Sequence, residues 1–187
     1  MKLAPRTMVL LIAAICVLPF VASTLAYKFW RPDSTINYGE LIEARRLPAL
    51  SLTTPDGGKF DTSSLRGRWV LVQVDEAACD DACRYKLYAM RQVRAAVGKD
   101  MTRIERLWLM PAAGQPDAEL LHTVSGTLVA QAGPGELRQW FAQAPDLRAH
   151  IWLVDPLGNV MMRYPAHPDG KAMIRDIERL LKYSRAG

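Results

Sequence analysis

Cysteine and histidine are scarce in this chain, at three each in 187 residues. Cys16 falls inside an apolar run, so only Cys79 and Cys83 remain for the rest of the chain. A cluster held by four thiolates is therefore excluded within one chain. Excess charge is lacking too. Taking Lys2 and Arg6 from the 24 basic residues leaves 22 against 19 acidic ones, a net charge of +3 from residue 28 onward. That balance is scattered, with no basic stripe interleaved with aromatics, and it excludes a nucleic-acid groove. Internal repeats and low-complexity segments are absent, which excludes a solenoid.

Charge is also missing from Thr7 to Tyr27, 21 residues around the run MVLLIAAICVLPFVASTLA. At ~1.5 Å per residue this stretch spans ~30 Å, the hydrocarbon thickness of a bilayer. Residues 1–27 thus read as an N-terminal transmembrane anchor. Lys2, Arg6 and the terminal amine keep the N-terminus cytoplasmic, although Lys28 and Arg31 weaken the asymmetry. The competing reading is a cleaved secretory signal, with Thr24-Leu25-Ala26 as the small-residue site. Both readings export the remainder of the chain. The retained anchor implies a single-pass protein of the cytoplasmic membrane with its domain on the periplasmic side.

Half of the residues are apolar, enough for one domain with a sizeable core. Residues 28–46 read as a juxtamembrane linker and residues 47–187 as the domain. Within it, LPALSLTT and Lys59–Asp61 read as short strands around the turn Pro55-Asp56-Gly57-Gly58. WVLVQV, Trp69–Val74, reads as a strand buried on both faces. Leu87, Met90, Val93 and Val97 mark a helix over 80–97, and Ile104–Met110 a further strand. Residues 112–134 carry no legible pattern. Gly135–Gln143 reads as a short amphipathic helix and Ile151–Tyr164 as a hairpin around Asp155-Pro156-Leu157-Gly158. Asp169 caps a last helix. A strand–helix–strand unit joined to a hairpin and a helix resembles the thioredoxin-like arrangement. The fold class expected is therefore α/β, a central mixed sheet flanked by helices and preceded by one transmembrane helix.

The candidate chemistry lies in CDDAC. Cys79 falls where a strand gives way to a helix, whose N-terminus favours a thiolate, while Asp80 and Asp81 oppose that effect. On a regular helix, side chains at i and i+4 sit ~5–6 Å apart at Cβ. A disulfide wants ~3.5–4.5 Å, so a bridge requires a distorted first turn. Two sulfurs sharing a soft metal lie up to about 4.6 Å apart, which fits at least as easily. A third ligand would be a histidine. His122 and His167 read as solvated bystanders. His150 precedes the strand IWLV, at the loop that would face the cysteine helix, and reads either as a ligand or as a partner for a backbone carbonyl. The basic residues Arg84, Lys86, Arg91 and Arg94 read as a solvated helix face or, alternatively, as a docking surface for an acidic membrane partner.

LPALSLTTPDGGKFDTSSLRGRWVLVQV with CDDAC after it resembles the opening of the Sco/SenC proteins, membrane-anchored thioredoxin-like assembly factors for cytochrome c oxidase. HIWLVDPLGN resembles the later segment in which that family carries its metal-binding histidine. The resemblance covers roughly residues 47–98 and 147–183 together with the anchor. It implies copper(I) held by Cys79, Cys83 and His150, and either delivery to a respiratory oxidase subunit or reduction of that subunit's cysteines. This chain departs from the pattern at Asp80 and Arg84, where the family usually has proline, and at Ala149, where it usually has aspartate. Two other readings stand beside it. In a thiol–disulfide oxidoreductase, Cys79 would attack and Cys83 resolve, although such enzymes normally use C-x-x-C. In a scaffold, the pair would be a structural bridge.

Overall fold

The computed structural model describes residues 4–29, 37–141 and 144–184. Lys2, Arg31, residues 30–36 of the expected linker and the last two residues of the helix expected over 135–143 lie outside the described residues. The chain divides into two units, Met1–Ile36 and Asn37–Gly187. In the first, α1 spans Pro5–Phe29, and its Arg6–Lys28 segment is long and apolar enough to cross a membrane.

The second unit is built on one eight-stranded sheet. Its strands are β1 (Glu40–Arg46), β2 (Ser51–Thr53), β3 (Lys59–Asp61), β4 (Trp69–Val74), β5 (Ile104–Met110), β6 (Leu128–Gln131), β7 (His150–Val154) and β8 (Asn159–Pro165), in the spatial order β1-β8-β7-β4-β5-β6-β2-β3. β4, β5 and β6 run parallel, and the remaining pairs are antiparallel, so the sheet is mixed. The helices are α2 (Asp81–Ala96), α3 (Ala118–Thr123), α4 (Pro134–Trp140) and α5 (Gly170–Tyr183).

Alternation along the strands sends successive side chains to two separate cores. Leu71 and Trp69 of β4, Trp108 of β5, Ile151 and Leu153 of β7 pack with Cys83, Leu87 and Met90 of α2 and with Met173 and Ile177 of α5. Val70, Val72 and Val74, Leu107 and Leu109, Trp152 and Val154 pack on the other face with Leu137 and Trp140 of α4. β4 is buried along its whole length because both faces are covered. Capping fixes where helices start: the Asp169 side chain accepts from the Lys171 and Ala172 amides at 2.9 and 3.2 Å. At the β7–β8 turn, Asp155 Oδ1 accepts from the Leu157 and Asn159 amides, and Gly158 supplies φ = +89°.

Two parts differ from the sequence-based expectation. Residues 112–134 contain α3 and β6, the latter parallel to β5. The stretch expected as a linker to residue 46 supplies β1, so the folded unit begins at Asn37 and not near Leu47. Its residues are largely exposed and show no apolar alternation, so periodicity could not flag a strand. What holds it is long-range. Glu40 pairs opposite Arg163, which grips it through two hydrogen bonds of 2.8 Å, and the Gly39 amide donates to buried Asp176 at 2.8 Å.

A domain started at Leu47 should therefore unfold at lower urea than one started at Asn37. The loss should be about 3 kcal/mol, from several hydrogen bonds at ~1 kcal/mol each. Coincident urea curves would show that β1 contributes nothing.

Candidate functional site

β4 ends beside the helix face it supports, and residues 75–80 carry the chain from sheet to α2. The helix does not include Cys79. Asp80 is its N-cap, with extended backbone (φ −76°, ψ −178°), and its Oδ1 accepts from the Cys83 amide at 2.9 Å. That amide, with the cations of Arg148 and Lys86, holds the Asp80 carboxyl below its usual range. Because Cys79 precedes the helix, the fixed spacing of side chains one helical turn apart does not apply to the pair. Its Cα lies 5.3 Å from that of Cys83, and the two sulfurs form a disulfide. The expected need for a distorted helical turn is corrected by where the helix begins.

The two sulfurs are not equivalent. Cys83 is fully buried, and Gln73 Nε2 donates to its Sγ at 3.4 Å. Cys79 is half-buried and lines an open recess of about 570 Å³ with Ala77, Ala78, Arg84 and Gln115. An incoming thiolate can reach Cys79, whereas Cys83 is protected. That asymmetry suits stepwise exchange, one sulfur attacked and the other leaving or resolving.

Beneath the disulfide sits an ionic network. Lys86 Nζ lies 2.7 Å from Asp75 Oδ2, with both side chains almost wholly out of water. Lys86 also donates to the Arg148 carbonyl. Arg148 Nε reaches Asp75 Oδ1 at 3.3 Å and its Nη2 reaches Asp80 Oδ2 at 2.9 Å. Burial pushes the Asp75 carboxyl up, against the pull of Lys86 and Arg148. Arg148 thereby ties the loop before β7 to the cap residue that separates the cysteines. Lys86 does not belong to a solvated face: it lies between Cys83, Leu87 and Met90 on the inner stripe of α2.

The expected third ligand is elsewhere. His150 opens β7 on the face of Trp152 and Val154, whereas the cysteine helix packs on the face of Ile151 and Leu153. Its ring lies edge-on to Trp152 at 5.3 Å, and Arg163 pairs beside it from β8. The structure thus brings Cys79 and Cys83 together and does not bring His150 to them. His122 is exposed on α3, and His167 stacks on Tyr85 at 4.8 Å. Among the described residues, no group of three or more His, Cys, Asp or Glu side chains is placed to hold a metal ion.

Asp75, Lys86 and Arg148 escaped sequence reasoning. Lys86 carried a usable signal, since its helical spacing from Cys83 and Met90 puts it on the buried stripe. Arg148 carried none, because its partners are 68 and 73 residues away.

A mixed sheet with a cysteine pair where a parallel strand meets its helix defines a thioredoxin-like protein. The family model for the transmembrane-like, thioredoxin-like, C-terminal domain matches residues 69–184, and the chain belongs to that family. No curated protein sequence matches it. Solved Sco structures share the fold. Apo Sco1 from Thermus thermophilus is 17% identical with a TM-score of 0.63, over 80% of this chain and 99% of that one. Copper-bound yeast Sco1 is 17% identical with a TM-score of 0.59, over 81% and 96%. BsSco, a member of the Sco family of cytochrome c oxidase assembly proteins in which a disulfide switch was identified, is 13% identical with a TM-score of 0.58, over 75% and 96%. This is a Sco-like thioredoxin fold.

The buried charges are open to test by substitution. Lys86→Met should cost about 3 kcal/mol in urea unfolding by leaving buried Asp75 with Arg148 as its one remaining cation. The double variant with Asp75→Asn should regain most of that, and equal losses in both variants would mean the pair is not coupled. Burial, with Arg163 close by, lowers His150 from its ordinary value of 6.5. The unfolded chain therefore binds that proton more tightly, so the stability His150 contributes is present above about pH 6.5 and lost as pH falls. His150→Gln should flatten the pH dependence of unfolding between about pH 7 and 5. An unchanged slope would contradict this placement.

Proposed function

We propose that this protein is a membrane-anchored, exported thiol–disulfide exchange protein of the Sco type. The observation that carries the reading is the bonded pair with unequal exposure, a reachable Cys79 and a buried Cys83. In the reduced protein the Cys79 thiolate attacks a partner disulfide, forming a mixed disulfide and releasing one partner thiolate. Cys83 then attacks Cys79, restores the Cys79–Cys83 bond and expels the second partner thiolate. Two electrons pass to the partner, whose thiolates take up protons, and the reverse sequence oxidises a partner dithiol.

Gln73, which donates to Cys83 Sγ in the oxidised state, can also hydrogen-bond the thiolate that the reverse reaction leaves there. α1 supplies the anchor, and Lys2 and Arg6 at its start support a cytoplasmic N-terminus and a periplasmic domain. A respiratory oxidase subunit with paired cysteines is the proposed partner, supported by the family to which BsSco belongs.

Copper(I) as cargo is the second reading, favoured by the copper-bound state of the yeast relative. Reduced Cys79 and Cys83 would be its ligands here, and two soft thiolates suit that ion. The facing of His150 with Trp152, away from the cysteine helix, supports a set without it.

Equilibration of the purified protein with dithiol buffers, with thiols counted at each potential, should give one reversible two-electron step from the Cys79–Cys83 pair. Cys79→Ser should abolish exchange and leave Cys83 slow toward alkylating reagents. His150→Ala should alter neither the potential nor any copper(I) uptake by the reduced protein. A pair that stays oxidised in strong dithiol buffer would make it a structural staple, and copper uptake lost in His150→Ala would restore the three-ligand set.

A further inference from the structure

The recess at Cys79 does not end there. It shares Arg84, Asp117 and Leu120 with a second recess of about 400 Å³ that continues between α2 and α3 past Tyr88 to Arg91 and Val124. A single groove thus starts at the reachable sulfur and runs along the axis of α2.

Its charge is graded. At the near end Arg84 faces Asp117 at 3.9 Å, and Glu119 adds a second carboxylate to the start of α3. Toward the far end α3 offers only Thr123 and Val124, while α2 offers Arg91, which has no ion-pair partner among the described residues. Two more guanidinium groups stand behind it. Arg94 donates to the Ile104 carbonyl at 2.7 Å, and Arg106, on β5 beneath α2, donates to the Ser125 carbonyl at 2.7 Å. Arg106 is 3% exposed, and its Nε and Nη1 have no hydrogen-bond partner. Burial and the neighbouring Arg94 and Arg91 push it below its usual range. Glu105, next along β5, points to the opposite face and is taken by Arg68. Arg91 therefore lines the far end of the groove, and the guanidinium groups of Arg94 and Arg106 stand close enough to reinforce its field.

We infer that this groove docks an extended segment of the partner protein, with the partner's cysteine over Cys79 and an acidic side chain on Arg91. The inference rests on the thiol-exchange reading and adds a selection rule to it. Cys83 and Arg91 are eight residues apart on one helix, which is about 12 Å along its axis. Cys79 precedes the helix with its Cα 5.3 Å from that of Cys83, so the span from the reachable sulfur is about 12–17 Å. An extended chain covers that distance in about four or five residues at ~3.3 Å each. The partner's carboxylate therefore belongs about four or five residues from its reacting cysteine.

The test uses the full-length reduced protein in detergent and ten-residue peptides joined as symmetric disulfides through one central cysteine. Aspartate, asparagine or lysine is placed four residues before and four after that cysteine, and glutathione disulfide serves as a substrate that cannot reach Arg91. At low salt the aspartate peptide should be reduced about tenfold faster than the lysine peptide, and the gap should narrow as salt rises. Arg91→Glu should invert the order, and Arg91→Gln should abolish it should the reversal impair folding. Equal rates for the three peptides, with glutathione disulfide still reduced, would overturn the groove inference alone. Failure to reduce any of the four substrates would overturn the exchange reading and this inference with it.

Discussion

A lysine and an aspartate removed from water hold the cysteine helix against the end of the central strand. Two charges so buried persist only with close partners. Lys86 and Asp75 have each other, and each also has Arg148, through its carbonyl or its guanidinium. The pair fixes how far α2 can slide or roll over β4. The position of Cys83, one turn from Lys86 on the same stripe, is set by that constraint. So is the Asp80 cap, whose second oxygen Arg148 holds. The geometry of the sulfurs is thus set by charges that never touch them.

The chemistry then turns on parity. In a strand each residue faces away from the next, and β7 sends Ile151 and Leu153 toward the cysteine helix. His150 accordingly faces away with Trp152, among Arg163 and Glu40. The group that the loop before β7 does present to the cap between the cysteines is a guanidinium. An imidazole can ligate copper, whereas a guanidinium, always protonated and without a lone pair to offer, cannot. The side chain of Arg148 accordingly meets the carboxylates of Asp75 and Asp80 beside the two sulfurs. In the shared thioredoxin-like framework, exchange chemistry needs only what remains: one reachable sulfur, one buried sulfur and a hydrogen bond from Gln73.

Around that centre, the segment between β5 and β6 gives the site its surroundings. α3 lies alongside α2 and turns an isolated helix face into a groove, and β6 extends the parallel part of the sheet beneath it. The same groove sets the Arg84–Asp117 pair near Cys79 apart from Arg91 at its other end.

Much of the scaffold was legible in the residues. WVLVQV could only be a doubly covered strand, and Leu87, Met90 and Val93 could only be a helix stripe. Asp155-Pro156-Leu157-Gly158 demanded a turn, Asp169 a helix start, and 21 uncharged residues an apolar helix. These features depend on neighbours a few positions away, which is why order along the chain reveals them. β1, β6, the helix boundary at Asp80, the Lys86–Asp75–Arg148 network and the facing of His150 depend on partners tens of residues distant. A charged stretch such as ELIEARR becomes a strand only when β8 presents a free edge with Arg163 opposite Glu40. Local chemistry therefore determined which elements exist and where the two sulfurs lie. Tertiary pairing alone decided which side chains meet them, because register and facing are set between strands rather than along one.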